Sequence, residues 1–161
     1  MRFLRIIQKL LRMLVCAALG TVPATAMAMD LVVKDLVAGT EKSYSEQELR
    51  DIKTVRLSTT TPWTEGVQEF VGTPMADIFS VGNGASLIRL TALNDYVATM
   101  PADFVTDDYP IIAYERNDMP MSVRDKGPYW LILPFDRDDA FMTESMMSRS
   151  VWQLVQIEIL P

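Results

Sequence analysis

Short apolar runs separated by polar punctuation dominate the chain and set its expected elements. Residues 31–37, LVVKDLV, are apolar and β-branched and predict a strand. Ser45 followed three residues later by Glu48 makes a capping box, which predicts a short helix over about 46–52. KTVRLSTT alternates apolar and polar positions through Val55 and Leu57, the pattern of a half-buried strand, and Pro62 stops it. VQEFVG predicts a short strand. In TPMADIFSVGNG, Thr73 is placed to cap a helix, Pro74 to take its first position and Gly82 to lie past its end. SLIRLTAL and DYVATMP read as two strands with Asn94-Asp95 in the turn between them, and PADFVTDD as a turn or one helical turn. YPIIAYER is a strand, NDMP a turn, YWLILP a buried strand, DDAFMTESMMSRS partly helical, and VWQLVQIEIL a final strand. Strands outnumber the helices, and the helices are short. The expected fold is α+β, a single domain with one mixed sheet curled around one core.

The first 28 residues differ from the rest. Arg2, Arg5, Lys9 and Arg12 precede a short apolar stretch over Leu14–Leu19, and Ala26-Met27-Ala28 fits a small-x-small cleavage site. Together they predict a secretory signal peptide over 1–28, a domain over 29–161 and a periplasmic location. The apolar stretch is shorter than the roughly 20 residues of a membrane span. The leader takes 4 of the 15 basic residues and none of the 21 acidic ones, so residues 29–161 carry a net charge of −10. A surface of that sign repels phosphate backbones, which argues against a nucleic-acid partner.

The chain has no histidine, and its one cysteine, Cys16, lies in the leader. Zinc and blue-copper sites are thereby excluded from residues 29–161, as is nucleophilic catalysis with a histidine base. Carboxylate chemistry is left, without the spacing of a calcium loop. Met119, Met121, Met142, Met146 and Met147 are soft donors in principle, but their spacing is that of gap-filling residues. The run Asp136, Asp138, Asp139 reads as a solvated loop.

Trp130, inside YWLILP, is expected in the core. Trp63 follows a Thr-Pro loop and Trp152 follows Ser-Arg-Ser; a large aromatic in polar surroundings suits a stacking platform, with core packing as the competing reading. Asp95 competes between a ligand carboxylate and plain turn chemistry, and Arg149 between a ligand cation and a solvated charge.

Four stretches taken in order, YSEQELRDIKTVRLSTTTPWTEGVQEFVGTPMADIF, IRLTALNDYVATMP, PIIAYERNDMPMSVRDKGPYWLILPF and SRSVWQLVQIEIL, resemble the molybdopterin-binding domain of the sulfite oxidase family over roughly residues 44–160. The Ala-x-Asn-Asp-Tyr turn, the Lys-Gly-Pro before a hydrophobic strand into Pro134, and the last apolar strand carry most of the likeness. Catalytic members of that family bind molybdenum through a cysteine in the loop after the strand that matches TVRLS. Here that segment reads Ser58-Thr59-Thr60-Thr61, and Trp130 stands where relatives often carry an arginine. Hydroxyls do not replace a thiolate for a soft metal.

SVWQL and DKGPYW are similar to a smaller group with the same fold: periplasmic pterin-binding regulators of membrane-bound diguanylate cyclases and phosphodiesterases. That resemblance implies a non-catalytic protein that holds a reduced pterin without a metal and signals through cyclic di-GMP enzymes. It implies a pocket built from Thr60, Thr61, Trp63, Asn94, Asp95, Tyr96, Arg149 and Trp152. On this expectation Asp95 accepts from the pterin's amino edge, Arg149 donates to its acceptor side, and Trp63 or Trp152 stacks on the bicycle. Two alternatives stand beside it: an oxidoreductase that holds molybdopterin without a protein thiolate, and a structural or interaction module without a ligand.

Overall fold

The computed structural model of the protein describes residues 29–82 and 84–161; the leader expected over 1–28, with Cys16, lies outside the described residues. In chain order the elements are β1 (Leu31–Asp35), β2 (Thr40–Tyr44), α1 (Glu46–Ile52), β3 (Val55–Thr59), β4 (Gln68–Pro74), α2 (Met75–Ile78), β5 (Leu87–Ala92), β6 (Val97–Pro101), β7 (Ile111–Arg116), β8 (Met119–Pro120), β9 (Trp130–Ile132), α3 (Glu144–Arg149) and β10 (Leu154–Leu160). Single turns of 3-10 helix cover Ala102–Phe104, Val123–Asp125 and Asp139–Met142.

The strands form two sheets, not the single mixed sheet expected. One has the order β2-β1-β10-β5-β6, in which only β1 and β10 run parallel. The other has the order β3-β4-β7-β8, with β9 also paired to β7, and is antiparallel throughout. The fold is α+β with strands in the majority. Apolar patterning reports which residues face a core; it does not report which strand edges meet, so the division into two sheets was not visible in it.

Leu31, Val33, Ile88, Leu90, Met100, Leu154 and Ile157 of the first sheet are buried in one cluster with Val71, Ile112, Tyr114 and Leu131 of the second and with Leu133 just past β9. A smaller cluster, Phe70, Ile111, Ala113, Met121, Trp130 and Ile132, covers the second sheet's other face. The second sheet is therefore buried on both sides. That is why YWLILP is apolar without alternation: Leu131 and Leu133 enter one cluster, Trp130 and Ile132 the other.

The capping box forms as expected. The Glu48 N–H donates to Ser45 Oγ (3.3 Å) and the Ser45 N–H to the Glu48 carboxylate (2.9 Å), which starts α1 at Glu46. The helix expected to open at Thr73 does not. Thr73 and Pro74 finish β4, where Pro74 pairs with Ile111, and α2 keeps only Met75–Ile78, so Gly82 lies well past its end. The Thr73 hydroxyl donates to the Leu49 carbonyl (2.8 Å), tying β4 to α1 in place of capping a helix. β2 was not expected at all. Its sequence, TEKSY, is exposed at four of its five residues, because it is an edge strand that pairs only with β1.

Candidate functional site

The threonine loop is built to hold Trp63. The Thr59 hydroxyl accepts the Asp136 N–H (3.2 Å), and the Thr60 N–H donates to the Asp136 carboxylate (2.7 Å), as does the Thr60 hydroxyl. This clasp joins the end of β3 to the segment after β9. Thr61 is buried; its hydroxyl accepts the Trp63 N–H (3.2 Å) and shares a hydrogen bond with the Thr64 hydroxyl (2.8 Å). Gly66, at φ 63°, then supplies the left-handed residue that turns the chain back into β4. The Thr60 hydroxyl and then its N–H stabilise the ionised form of Asp136 and hold that carboxyl below its ordinary range.

All three tryptophans of the chain meet at this loop. The Trp63 ring lies 5.3 Å from Trp152, 6.0 Å from Trp130 and 6.1 Å from Phe135, centre to centre. Trp130 is fully buried, and its Nε1–H donates to Ser150 Oγ (3.0 Å), whose own hydroxyl donates to the Leu131 carbonyl (2.7 Å). An isolated β-bridge pairs Trp130 with Trp152, so the segment after α3 is held against β9. The Lys126 ammonium sits 4.2 Å from the Trp152 ring centre and covers one of its faces.

Beside the tryptophans opens a cavity of about 390 Å³, within the roughly 300–1,000 Å³ of small-molecule sites. Three parts of the chain wall it. The loop and the chain before β10 give Trp63 and Trp152; the β5–β6 turn gives Ala92, Asn94 and Tyr96; α3 and its end give Glu144, Met147, Ser148, Ser150 and Val151. The Tyr96 hydroxyl donates to the Ser148 carbonyl (3.0 Å), which fixes the hairpin turn to the helix across the cavity.

Four of the eight expected site residues therefore come together here: Trp63, Asn94, Tyr96 and Trp152. The other four sit elsewhere. Thr60 lines a separate, open cavity with Phe135, Asp136–Asp139 and Met142. Thr61 is buried behind Trp63 and acts on it through the backbone. Asp95 occupies the left-handed position of the hairpin turn (φ 64°), exposed, with its N–H on the Ala92 carbonyl (3.0 Å). Arg149 turns away, its guanidinium 5.2 Å from the Phe104 ring centre and donating to Met146 Sδ (3.4 Å).

Glu144, Met147 and Ser148 were not foreseen, because DDAFMTESMMSRS gave no clean period. The readable signal was Thr143, whose hydroxyl accepts the Met146 N–H (3.4 Å) and opens α3 at Glu144. Among the described residues no Lys or Arg lines this cavity.

No family model matches the chain, and no curated protein matches it either.

The cavity's physical character is plain from its walls. Two indoles, a phenol, a thioether and aliphatic side chains supply apolar area, beside the polar side chains of Asn94, Glu144, Ser148 and Ser150. Such a site suits a planar heterocycle of a few fused rings. Among the described residues no group of three His, Cys, Asp or Glu side chains gathers in a way that could hold a metal ion.

Proposed function

We propose that this chain is a non-catalytic periplasmic pterin-binding protein that regulates a membrane-bound diguanylate cyclase or phosphodiesterase. The observation that carries the ligand is the cavity beside Trp63, Trp152 and Tyr96, whose volume of about 390 Å³ and aromatic lining suit a pterin bicycle. The Trp63 loop occupies the place where the sulfite oxidase resemblance puts a metal-binding cysteine. Its threonine hydroxyls are hard donors, and those of Thr59, Thr60 and Thr61 already hold the loop together. That favours a ligand without a metal over the molybdopterin oxidoreductase. The regulatory partner rests on the likeness of SVWQL and DKGPYW to the pterin-binding regulators, and the periplasmic location on the leader.

On this reading the pterin lies against Trp152 and under Trp63, and bridges the β5–β6 turn to α3. Binding then locks together two parts of the chain that are otherwise tied by the Tyr96–Ser148 hydrogen bond, a change a partner can read. Titration of the purified protein with dihydropterin tests it. Because every tryptophan belongs to one cluster at the cavity, the whole intrinsic emission reports on occupancy. Saturable quenching at about one pterin per chain is the expected result; emission that ignores pterin refutes the ligand.

A further inference from the structure

The polar groups around the cavity are mostly spent. Ser150 Oγ is held between Trp130 Nε1 and the Leu131 carbonyl. The Ser148 hydroxyl donates to the Ser145 carbonyl (2.9 Å), and the Tyr96 hydroxyl to the Ser148 carbonyl. Asn94 Oδ1 accepts the Tyr96 N–H (3.2 Å), which leaves the Asn94 amide N–H groups as donors. Among the described residues Glu144 is the only charged one of the lining, and its carboxylate takes part in no hydrogen bond or ion pair. The two nearby cations are turned to other work: Arg149 faces Phe104 and Met146, and Lys126 covers the far face of Trp152.

We propose that Glu144 sets the chemical class of the ligand, selecting an unphosphorylated flat heterocycle that presents two adjacent N–H donors. This rests on the pterin reading of the same cavity and sharpens it. A carboxylate offers two parallel acceptors, which match the ring N3–H and the 2-amino group of a pterin in one bidentate, charge-assisted pair. Asn94 answers with a donor for a carbonyl or ring nitrogen. A dioxo heterocycle places a carbonyl where the amino group would be, so that one carboxylate oxygen faces another acceptor. A phosphate group finds no cation in the lining and meets the Glu144 charge, so the phosphorylated pyranopterin of molybdenum enzymes falls outside the class.

The test compares dihydropterin with dihydrolumazine, its dioxo counterpart, by tryptophan emission. It uses the purified protein and its Glu144→Gln variant. The unmodified protein is expected to bind dihydropterin about tenfold or more tighter than dihydrolumazine, the scale of one hydrogen bond to a charged group. Glutamine presents one acceptor and one donor, which fits the N3–H and carbonyl of lumazine. Glu144→Gln should therefore lose about tenfold for dihydropterin and erase or reverse the preference, while its melt is unchanged because the side chain is exposed. A variant that keeps the original preference overturns the role of Glu144 and leaves the pterin reading in place. A protein that binds neither heterocycle overturns both.

Discussion

Thr61→Val is the sharpest probe of why the threonine loop exists. Valine keeps the β-branched shape and removes only the hydroxyl. Two partners then lose it: the Trp63 N–H, at 3.2 Å, and the Thr64 hydroxyl, at 2.8 Å. Thr61 is 5% exposed, so water does not take its place without opening the loop. An orphaned buried group costs about 1–3 kcal/mol. The Thr64 hydroxyl is half-buried and can rotate toward solvent, which puts the expected loss in the lower half, about 1–2 kcal/mol. For a domain of this size that is a fall in Tm of roughly 4–8 °C. Trp63, no longer anchored, should also lose its fixed packing against Trp152 and Phe135. Near-UV circular dichroism should weaken, and pterin affinity should fall severalfold. Thr61→Ser retains the acceptor and should show a smaller change in each measurement. The reasoning fails if Thr61→Val melts and binds like the parent, or if Thr61→Ser is as damaging as Thr61→Val.

Three further outcomes follow from the same geometry. Trp152→Ala should lower pterin affinity about tenfold or more, since it removes a stacking face and its apolar area, yet cost less stability than the roughly 3–5 kcal/mol of a core tryptophan, because the ring is only half-buried; titration beside thermal melts separates the two effects. Asp95→Asn should leave affinity unchanged, since residue 95 is an exposed left-handed turn position away from the cavity and asparagine tolerates that conformation; a clear loss of affinity would return Asp95 to the site. Asp136→Asn should lower Tm modestly at neutral pH, because an amide cannot accept from both Thr60 donors. The folded Asp136 carboxyl sits below its ordinary value of 3.8, so its contribution is present above that value and lost as pH falls through the lowered one. The gap between variant and parent melts should close under strong acid; a gap that does not change with pH contradicts this.

The elements with a strong local signature were legible from sequence. The capping box at Ser45 and Glu48 placed α1, and the unbroken apolar run around Trp130 placed a buried strand. Elements whose stability comes from partners were not. β2 is polar because one neighbour's backbone is all it needs, and the Thr73-Pro74 pair looks like a helix start until β7 is seen to pair with it. The site divides the same way. Trp63 and Trp152 stood out as large aromatics in polar segments, and both line the cavity. Asp95 and Arg149 carried the right charges for a pterin, but the direction of a side chain is set by the turn's dihedrals and by neighbours such as Phe104, which spacing does not encode. Glu144 was hidden for the opposite reason: its helix is short and its period unclear, and the cavity exists only once α3 packs beside β6.

The most direct test of the pterin assignment is to identify what the native protein carries. The protein would be purified from its native cells under reducing, anaerobic conditions, and the small molecules released from it analysed by mass spectrometry, with molybdenum measured on the same sample. The account predicts an unphosphorylated pterin approaching one per chain, no stoichiometric molybdenum, and loss of the pterin from Trp152→Ala. A phosphorylated pyranopterin with about one molybdenum per chain, or no pterin at all in a well-folded sample, would contradict it.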